Sequence, residues 1–345
     1  MNVLSLFDGM SCGQQALDRL GVKVDNYFAS EIDKYAIKIT QKNYPDTIQL
    51  GDVCAIKAED LPKIDLILAG SPCQGFSFAG KQLAFDDPRS ALFFEFIRIL
   101  KECKPKYFLL ENVRMKKEYI NIITEQVSEC YPDYQGTGSD LFNNRIEPIL
   151  INSALLSAQN RQRYYWTNIP NITQPKDRGI VLRDVLETNP SNDLDKMTTK
   201  DGKSYCLTAR YQGAVYWNSL ARKQRTMIPL VVQSYREVRT ENAKRLRRES
   251  RQKTGKDHTP FRDKEIVPRE DGKVGTVTPS LNNDHKISIT TDQNIHWRKL
   301  TPLECERLQT VKDNYTEGVS NTQRYKMLGN GWTVEVICHI LNNIN

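Results

Sequence analysis

The chain has 345 residues and a net charge of +7, with 39% hydrophobic and 26% charged residues. Its length predicts one large and one small unit, and its composition is typical of a soluble globular protein. No stretch approaches the roughly 18 apolar residues of a membrane span, and Met1 leads into an apolar strand pattern without signal-peptide features, so we expect a cytoplasmic protein.

The first 170 residues alternate short apolar runs with helical patterns. The runs predict strands over residues 3–7, 24–30, 64–69, 106–110, 147–151 and 163–168. The patterns between them predict helices over residues 12–20, 34–42, 90–103 and 118–130. Such alternation predicts an α/β fold with a doubly wound sheet, in which ligands lie at the carboxyl ends of the strands.

Three successive strand ends carry residues that suit a nucleoside. The first strand runs into the turn Phe7-Asp8-Gly9-Met10-Ser11-Cys12-Gly13, where backbone N–H groups can approach a ligand closely. Glu31 follows the second strand and can hold ribose hydroxyls, and Asp52 follows the third. No phosphate-binding lysine motif accompanies them, so a nucleoside that carries methionine fits better than a nucleotide. A purely structural turn is the alternative.

The fourth and fifth strands place a cysteine and an acid at the same edge. Gly70-Ser71-Pro72-Cys73 predicts an exposed thiol, which as a thiolate could add to C6 of a pyrimidine. The fifth strand ends in Glu111-Asn112-Val113, and a buried Glu111 could protonate N3 of that ring. The alternatives are a buried loop cysteine and a glutamate that caps the next helix.

Gln159-Asn160-Arg161-Gln162-Arg163 leads into an aromatic strand, and arginines at alternate positions of an extended chain point the same way. They could contact a base carbonyl, a phosphate or Glu111, although a surface basic pair is also common.

The basic excess of the chain belongs to one segment. Residues 175–296 hold 24 Lys and Arg against 16 Asp and Glu, and Arg222 to Lys256 alone has twelve basic and three acidic residues. Such a focused positive charge attracts a polyanion, although a solvated helix face is the simpler reading. The patterns here are short and polar except for a helical run near residues 236–253.

After Trp297 helical periodicity returns over residues 302–309 and 333–341. We therefore predict a catalytic domain over 1–174, a recognition domain over 175–296, and a segment, 297–345, that returns to the first domain. The eight cysteines include no CxxC pair or Cys/His cluster at zinc spacing, so neither a metal nor a disulfide framework is expected.

The order Phe-x-Gly, Pro-Cys-Gln, Glu-Asn-Val, Gln-x-Arg-x-Arg and a late Gly329-Asn330 closely resembles the cytosine-5 DNA methyltransferase family over residues 1–170 and 297–345. The resemblance implies the class I methyltransferase fold, a Rossmann-like mixed sheet with an inserted target-recognition domain. It also implies a covalent Cys73 adduct with a flipped cytosine and S-adenosylmethionine as methyl donor. Double-stranded DNA is the implied partner, a cognate restriction endonuclease is a further candidate, and we expect a monomer.

Carried over by position, Cys73 resembles the nucleophile, Glu111 the N3 contact, and Arg161 and Arg163 the pair that supports substrate and site geometry. The implied cofactor residues are Phe7, Asp8, Gly9, Met10, Ser11, Glu31, Ile32, Asp52, Val53, Pro72, Leu92, Asn330 and Trp332. The implied DNA contacts are Gln74, Ser77 and Lys81, in the region of the loop 75–82 that closes over flipped DNA. To these we add Arg245, Arg247 and Arg248 of the basic segment as phosphate contacts.

Two departures from the commoner pattern are similar to the de novo type of these enzymes. Ser11 stands where the second glycine of Phe-x-Gly-x-Gly is usual, and Gly331-Trp332 follows Asn330 where Asn-Ser-Val or Asn-Ala-Val is usual. A transfer-RNA cytosine methyltransferase of the same fold and a catalytically silent DNA-binding relative remain alternatives. The long basic segment and the absence of a Cys-Phe-Thr tripeptide favour DNA over the first, and the intact catalytic motifs argue against the second.

Overall fold

A computed structural model describes residues 1–71, 88–135, 145–190, 192–231, 233–255, 264–268, 287–288 and 295–344. The first part of the chain contains β1 (Asn2–Leu6), α1 (Cys12–Arg19), β2 (Asn26–Ser30), α2 (Lys34–Asn43), β3 (Ile48–Gln49), β4 (Leu66–Ala69), α3 (Pro88–Cys103), β5 (Tyr107–Val113), α4 (Lys117–Glu129), β6 (Ile149–Asn152) and β7 (Gln162–Thr167). The later elements are α5 (Tyr216–Arg222), β8 (Met227–Val231), β9 (Gln233–Arg239), α6 (Glu241–Thr254), β10 (Lys264–Pro268), β11 (Ile287–Ser288), β12 (Ile295–Lys299), α7 (Pro302–Leu308), α8 (Asn321–Asn330) and α9 (Val334–Leu341).

The main sheet has seven strands in the order β3-β2-β1-β4-β5-β7-β6. β1 pairs in parallel with β2 and β4, and β4 pairs in parallel with β5. β7 runs antiparallel to both of its neighbours, β5 and β6, so the sheet is mixed. The predicted doubly wound α/β class is therefore confirmed. The central strands are buried almost completely, because helices cover both faces of a sheet of this kind.

All six predicted strands of the first 170 residues and all four predicted helices are present within a few residues of the expected limits. The first strand ends at Leu6 because Phe7 takes a left-handed conformation, with φ of 58°, and begins the turn. The third strand expected before Asp52 is the two-residue β3, and the helical run expected near residues 236–253 begins only at Glu241, because Gln233–Arg239 pairs as strand β9. Prediction missed α8, whose polar sequence has weak periodicity.

The chain packs as two compact units. The larger comprises Met1–Glu187, Asp195–Met227 and Lys299–Asn345, and the smaller comprises Thr188–Leu194 and Ile228–Arg298. In the larger unit the C-terminal segment packs on the N-terminal part, where the Tyr315 hydroxyl donates to Met10 O (2.9 Å) and Arg19 pairs with Glu335 (2.9 Å). Recognition by residues 175–296 stays a prediction. Among the described residues no helix has the length and apolar character needed to cross a membrane.

Candidate active site

A cavity of about 420 Å³ opens at the carboxyl ends of β1, β2, β4 and β5, in the size range of cofactor pockets. Its walls include most of the predicted site residues: Phe7, Asp8, Gly9, Glu31, Ile32, Asp52, Val53, Leu92, Glu111, Arg161, Arg163, Asn330 and Trp332. The side chains of Met10 and Ser11 are instead fully buried and do not line it. One cavity thus brings together residues that are separated by more than 300 positions in the sequence.

The turn after β1 explains the serine that departs from the expected glycine pattern. Phe7, Gly9 and Ser11 all have φ near 60°, a left-handed conformation that normally favours glycine. Ser11 adopts it with a buried hydroxyl that donates to Asp8 Oδ2 and lies 3.1 Å from Thr40 Oγ1. These hydrogen bonds offset the conformational cost, so the turn keeps its shape without a second glycine.

Glu31 is held in a fixed orientation by backbone donors. Gly9 N donates to Oε2, and Ile32 N and Asp33 N donate to Oε1, each at 2.8 Å. Three of the roughly four acceptor positions of a carboxylate are therefore filled, and the remaining one is on Oε2. Ile32, next to it, is 77% exposed, an apolar surface beside an oriented acid. This combination suits a ligand that has both a hydroxylated and a flat apolar part.

Asp8 is a second acid in the cavity wall. Tyr27 OH donates to Asp8 Oδ1 at 2.9 Å, and Ser11 donates to the other oxygen. Burial raises the pKa of Asp8 from its ordinary value of 3.8 to about 6, and the hydrogen bonds from Ser11 and Tyr27 only partly oppose that rise.

Glu111 lies between an ion-pair partner and a hydrogen-bond donor from distant parts of the chain. Arg163 is its diagonal neighbour across the β5–β7 ladder, because Glu111 pairs with Tyr165 and Val113 pairs with Arg163. Arg163 Nε lies 2.8 Å from Glu111 Oε1, and Trp332 Nε1 donates to Oε2 at 3.2 Å. The carboxylate is 8% exposed and is fixed at both oxygens.

Trp332 also packs against the end of β4. A Cβ added to Gly70 would lie 2.9 Å from Trp332 Nε1, so the close approach of the indole requires glycine there. The next residue, Ser71, accepts a hydrogen bond from Asn112 Nδ2 at 3.3 Å, which links the end of β4 to β5. Cys73 follows Ser71 by two positions. Gly70 and Ser71, which immediately precede the predicted nucleophile in the sequence, are therefore held close to Glu111.

The two arginines have different environments. Arg161 is 3% exposed and donates to Leu207 O (2.9 Å), Gly329 O (3.3 Å) and Gly331 O (2.9 Å). Burial lowers its pKa, and the positive charge of Arg163 adds to that effect. Arg161 therefore supports the site through backbone carbonyls, whereas Arg163 contacts the acid.

Residues that the sequence analysis did not single out complete the site. Cys206 Sγ accepts from Arg161 at 3.6 Å; burial raises the pKa of this thiol, but the charges of Arg161 and Arg163 and their hydrogen bonds outweigh burial, and the net pKa is lowered. Lys326 donates to Asp33 at 2.6 Å on the cavity wall. No local pattern marks these residues, because their partners are distant in the sequence.

The remaining predicted residues fall into two groups. Pro72, Cys73, Gln74, Ser77 and Lys81 fall outside the described residues. Arg245, Arg247 and Arg248 lie on α6 in the smaller unit, where Arg245 pairs with Glu249 at 2.8 Å and Arg248 is exposed.

Comparison with known proteins gives consistent results. The family described as C-5 cytosine-specific DNA methylase matches residues 1–345. The type II methyltransferase M1.ScrFI of Lactococcus lactis subsp. cremoris is 31% identical, covering 91% of this chain and 70% of its own. The orphan methyltransferase M.SPRI of Bacillus phage SPR is 26% identical, covering 100% and 97%.

Solved structures share the fold at low identity. The Entamoeba histolytica methyltransferase EhMeth aligns with a TM-score of 0.62 and 18% identity, over 99% of this chain and 97% of its own. A prophage-encoded putative DNA modification methyltransferase from E. coli aligns with a TM-score of 0.56 and 18% identity, over 100% and 98%.

The raised pKa of Asp8 predicts a pH-dependent stability. Between pH 3.8 and 6 the folded state holds a proton that the unfolded state has lost, so the free energy of unfolding falls as pH rises through that range. Asp8→Asn removes this titration. The free energy of unfolding of the variant, relative to that of wild type, should therefore be about 1 kcal/mol higher at pH 8 than at pH 5. Urea unfolding at both pH values measures it, with Asp46→Asn, at an exposed position, as the control. If the free energy of unfolding of the variant differed from that of wild type by the same amount at both pH values, the raised pKa of Asp8 would be contradicted.

The Trp332–Glu111 hydrogen bond predicts a coupled effect on turnover. Trp332→Phe keeps an aromatic ring but removes the N–H donor, and kcat for DNA-dependent methyl transfer should fall about tenfold, since a bond to a charged group is worth ~1.5–3 kcal/mol. In a Glu111→Gln background the same Trp332→Phe change should lower kcat much less, because the two substitutions remove the same contact. Equal losses in both backgrounds would show that Trp332 acts independently of Glu111.

Proposed function

The chain belongs to the C-5 cytosine-specific DNA methylase family, and from that membership we propose how it methylates cytosine. Its activity is that of a DNA cytosine-5 methyltransferase. The observation that carries the mechanism is the fixed Glu111 carboxylate at the wall of a cofactor-sized cavity, next to the strand end that precedes Cys73.

The cavity residues fit S-adenosylmethionine in their chemistry. Glu31, oriented by three backbone donors, suits ribose hydroxyls, and Asp52 suits an adenine amino group. Phe7 and the exposed Ile32 provide apolar surface for the purine ring. S-adenosylmethionine, when bound, supplies an electrophilic methyl group. We assign Trp332 to the wall between this ligand and Glu111.

The nucleophilic step falls to Cys73. The Cys73 thiolate forms a bond to C6 of cytosine while Glu111 donates a proton to N3, and the electron pair that shifts toward C5 makes that carbon nucleophilic. After methyl transfer to C5, a water accepts the C5 proton, the bond from Cys73 to C6 breaks and N3 returns its proton to Glu111, which restores the aromatic ring. Because C6 is hidden within a base stack, the target cytosine must leave the duplex first.

Glu111 contacts N3 of the target and mediates its proton uptake. Its position depends on Arg163 at one oxygen and Trp332 at the other, so the carboxyl enters the reaction already oriented. Arg161 takes no direct part, since its donors are occupied by backbone carbonyls of residues 207, 329 and 331. It is a positioning residue for the turn that carries Trp332.

We assign double-stranded DNA as the substrate and α6 as a surface that contacts its phosphates. We propose that the reaction needs no metal ion. Arginine contacts to phosphates set register but carry little sequence information. The names of the relatives include both type II and orphan methyltransferases, so a cognate restriction endonuclease is a partner to look for. We propose that the enzyme acts as a monomer on one flipped base.

Replacement of the nucleophile tests the mechanism. Cys73→Ala should bind duplex DNA and S-adenosylmethionine with near wild-type affinity but transfer no methyl group, because no bond to C6 can form. Wild type should also form a denaturant-stable adduct with a duplex that contains 5-fluorocytosine, since fluorine at C5 cannot leave as a proton. Cys103→Ala, at a partly buried cysteine on α3, is the matched control. Methylation or adduct formation by Cys73→Ala would refute the assignment.

Neutralising α6 tests the phosphate contacts. Replacing Arg245, Arg247 and Arg248 with alanine should weaken binding to all duplexes alike and reduce the slope of log affinity against log salt by about 0.9 per lost contact. The control replaces Lys23, Lys57 and Lys63, three exposed lysines of the larger unit, for the same loss of charge. A changed methylation sequence instead of a uniform loss would mean that these arginines read bases.

A further inference from the structure

Three consecutive large apolar side chains are exposed where α5 begins. Val215 is 51% exposed, Tyr216 is 42% exposed and Trp217 is 69% exposed. Ala221, one turn after Trp217 on the same side of the helix, is small and also exposed. We call Val215, Tyr216 and Trp217 the aromatic patch. A contiguous group of this kind on a water-facing surface indicates a contact with another molecule.

The backbone beneath the aromatic patch is firmly held. The buried Ser219 hydroxyl lies 3.1 Å from Val215 O and 2.7 Å from Arg225 O and can donate to either, and Arg225 Nη1 donates to Gly213 O (2.9 Å). Just before the patch, the buried Tyr211 ring lies 5.4 Å from the Tyr325 ring. The exposed side chains therefore project from a fixed support, which limits the ordering cost of binding a partner.

The same segment begins at the catalytic site. Leu207 O accepts from the buried Arg161, and the backbone of Thr208 lies so close to Gly329 that a Cβ there would be 2.1 Å from Thr208 C. Tyr216 follows Thr208 by eight positions. The aromatic patch therefore follows, along the chain, a segment that packs against the residues of the site.

The charge around the aromatic patch selects the partner. Between Asp201 and Glu237 the sequence has no acidic residue, while it has six basic ones. Of these, Arg210, Arg222 and Lys223 are exposed. Exposed aromatic rings and exposed basic side chains in a stretch of sequence without acidic residues are a combination that suits nucleic acid, because rings stack on bases while cations contact phosphates.

We propose that the aromatic patch is a DNA contact, where Trp217 and Tyr216 pack against bases or sugars of the duplex near the flipped cytosine. Arg210, Arg222 and Lys223 hold the flanking phosphates. Extruding a base exposes the faces of its former neighbours, and an aromatic side chain can cover such apolar surface. This inference rests on the proposed DNA substrate and adds a surface in the larger unit, separate from α6.

Binding of a duplex that the wild-type enzyme methylates tests the proposal. With S-adenosylhomocysteine present, Kd should rise about tenfold or more for Trp217→Ala and further for Tyr216→Ala/Trp217→Ala, whereas Trp217→Phe, which keeps a stacking ring, should stay within about threefold. The salt slope should be unchanged in these three variants. Arg222→Ala/Lys223→Ala should instead reduce the slope by about 0.9 per lost contact.

The controls are Ile48→Ala, at an exposed apolar residue on β3, and Lys57→Ala, at an exposed lysine beside Glu59 and Asp60; neither should change Kd. Equal Kd values for wild type and Tyr216→Ala/Trp217→Ala, with unchanged melting temperature, would overturn the proposal. So would a wild-type dimer in sedimentation that this variant converts to a monomer without a change in Kd, since the aromatic patch would then bind a second copy. If wild type methylates no duplex at all, the proposed substrate itself fails.

Discussion

The guanidinium of Arg161 is 3% exposed and has no carboxylate bonded to it among the hydrogen bonds of the described residues. A charge in that position costs several kcal/mol unless its donors are satisfied. Three backbone carbonyls satisfy them, from Leu207, Gly329 and Gly331, which lie 46, 168 and 170 positions away. One buried cation thus joins its own segment to two distant ones, at Leu207 and at Gly329–Gly331.

The turn that Arg161 holds carries Trp332, and Trp332 reaches across to Glu111. Glu111 on β5, to which we assign the acid role, is therefore oriented by β7 on one side and by the C-terminal segment on the other. Because Trp332 also lines the cofactor cavity and packs on Gly70, the cofactor wall, the acid and the strand end before Cys73 form one packed group. Methyl transfer needs these groups in fixed mutual positions, and the packing supplies that order before substrate binds.

Local patterns predicted much of this arrangement. The strand ends that carry Phe7, Glu31 and Glu111 follow from alternating strands and helices, because parallel strands present their carboxyl ends at one edge. Prediction stopped where partners are distant: nothing near Cys206 or Lys326 indicates contact with Arg161 or Asp33. The left-handed Ser11 could be recognised only from its position in the motif, since serine has no preference for that conformation. The different environments of Arg161 and Arg163 could not be predicted from the sequence, because alternation along a strand gives both side chains the same direction.

We propose two DNA-contacting surfaces, the basic helix α6 and the aromatic patch, and we assign the chemistry to the buried group around Glu111. Bisulfite sequencing of DNA from a methylation-free host that expresses the wild-type chain or Cys73→Ala tests directly whether this chain adds a methyl group to C5 of cytosine in DNA. We expect unconverted cytosines at one recurring sequence with wild type and none with Cys73→Ala. Complete conversion in both samples, with the protein present and folded, would contradict that activity.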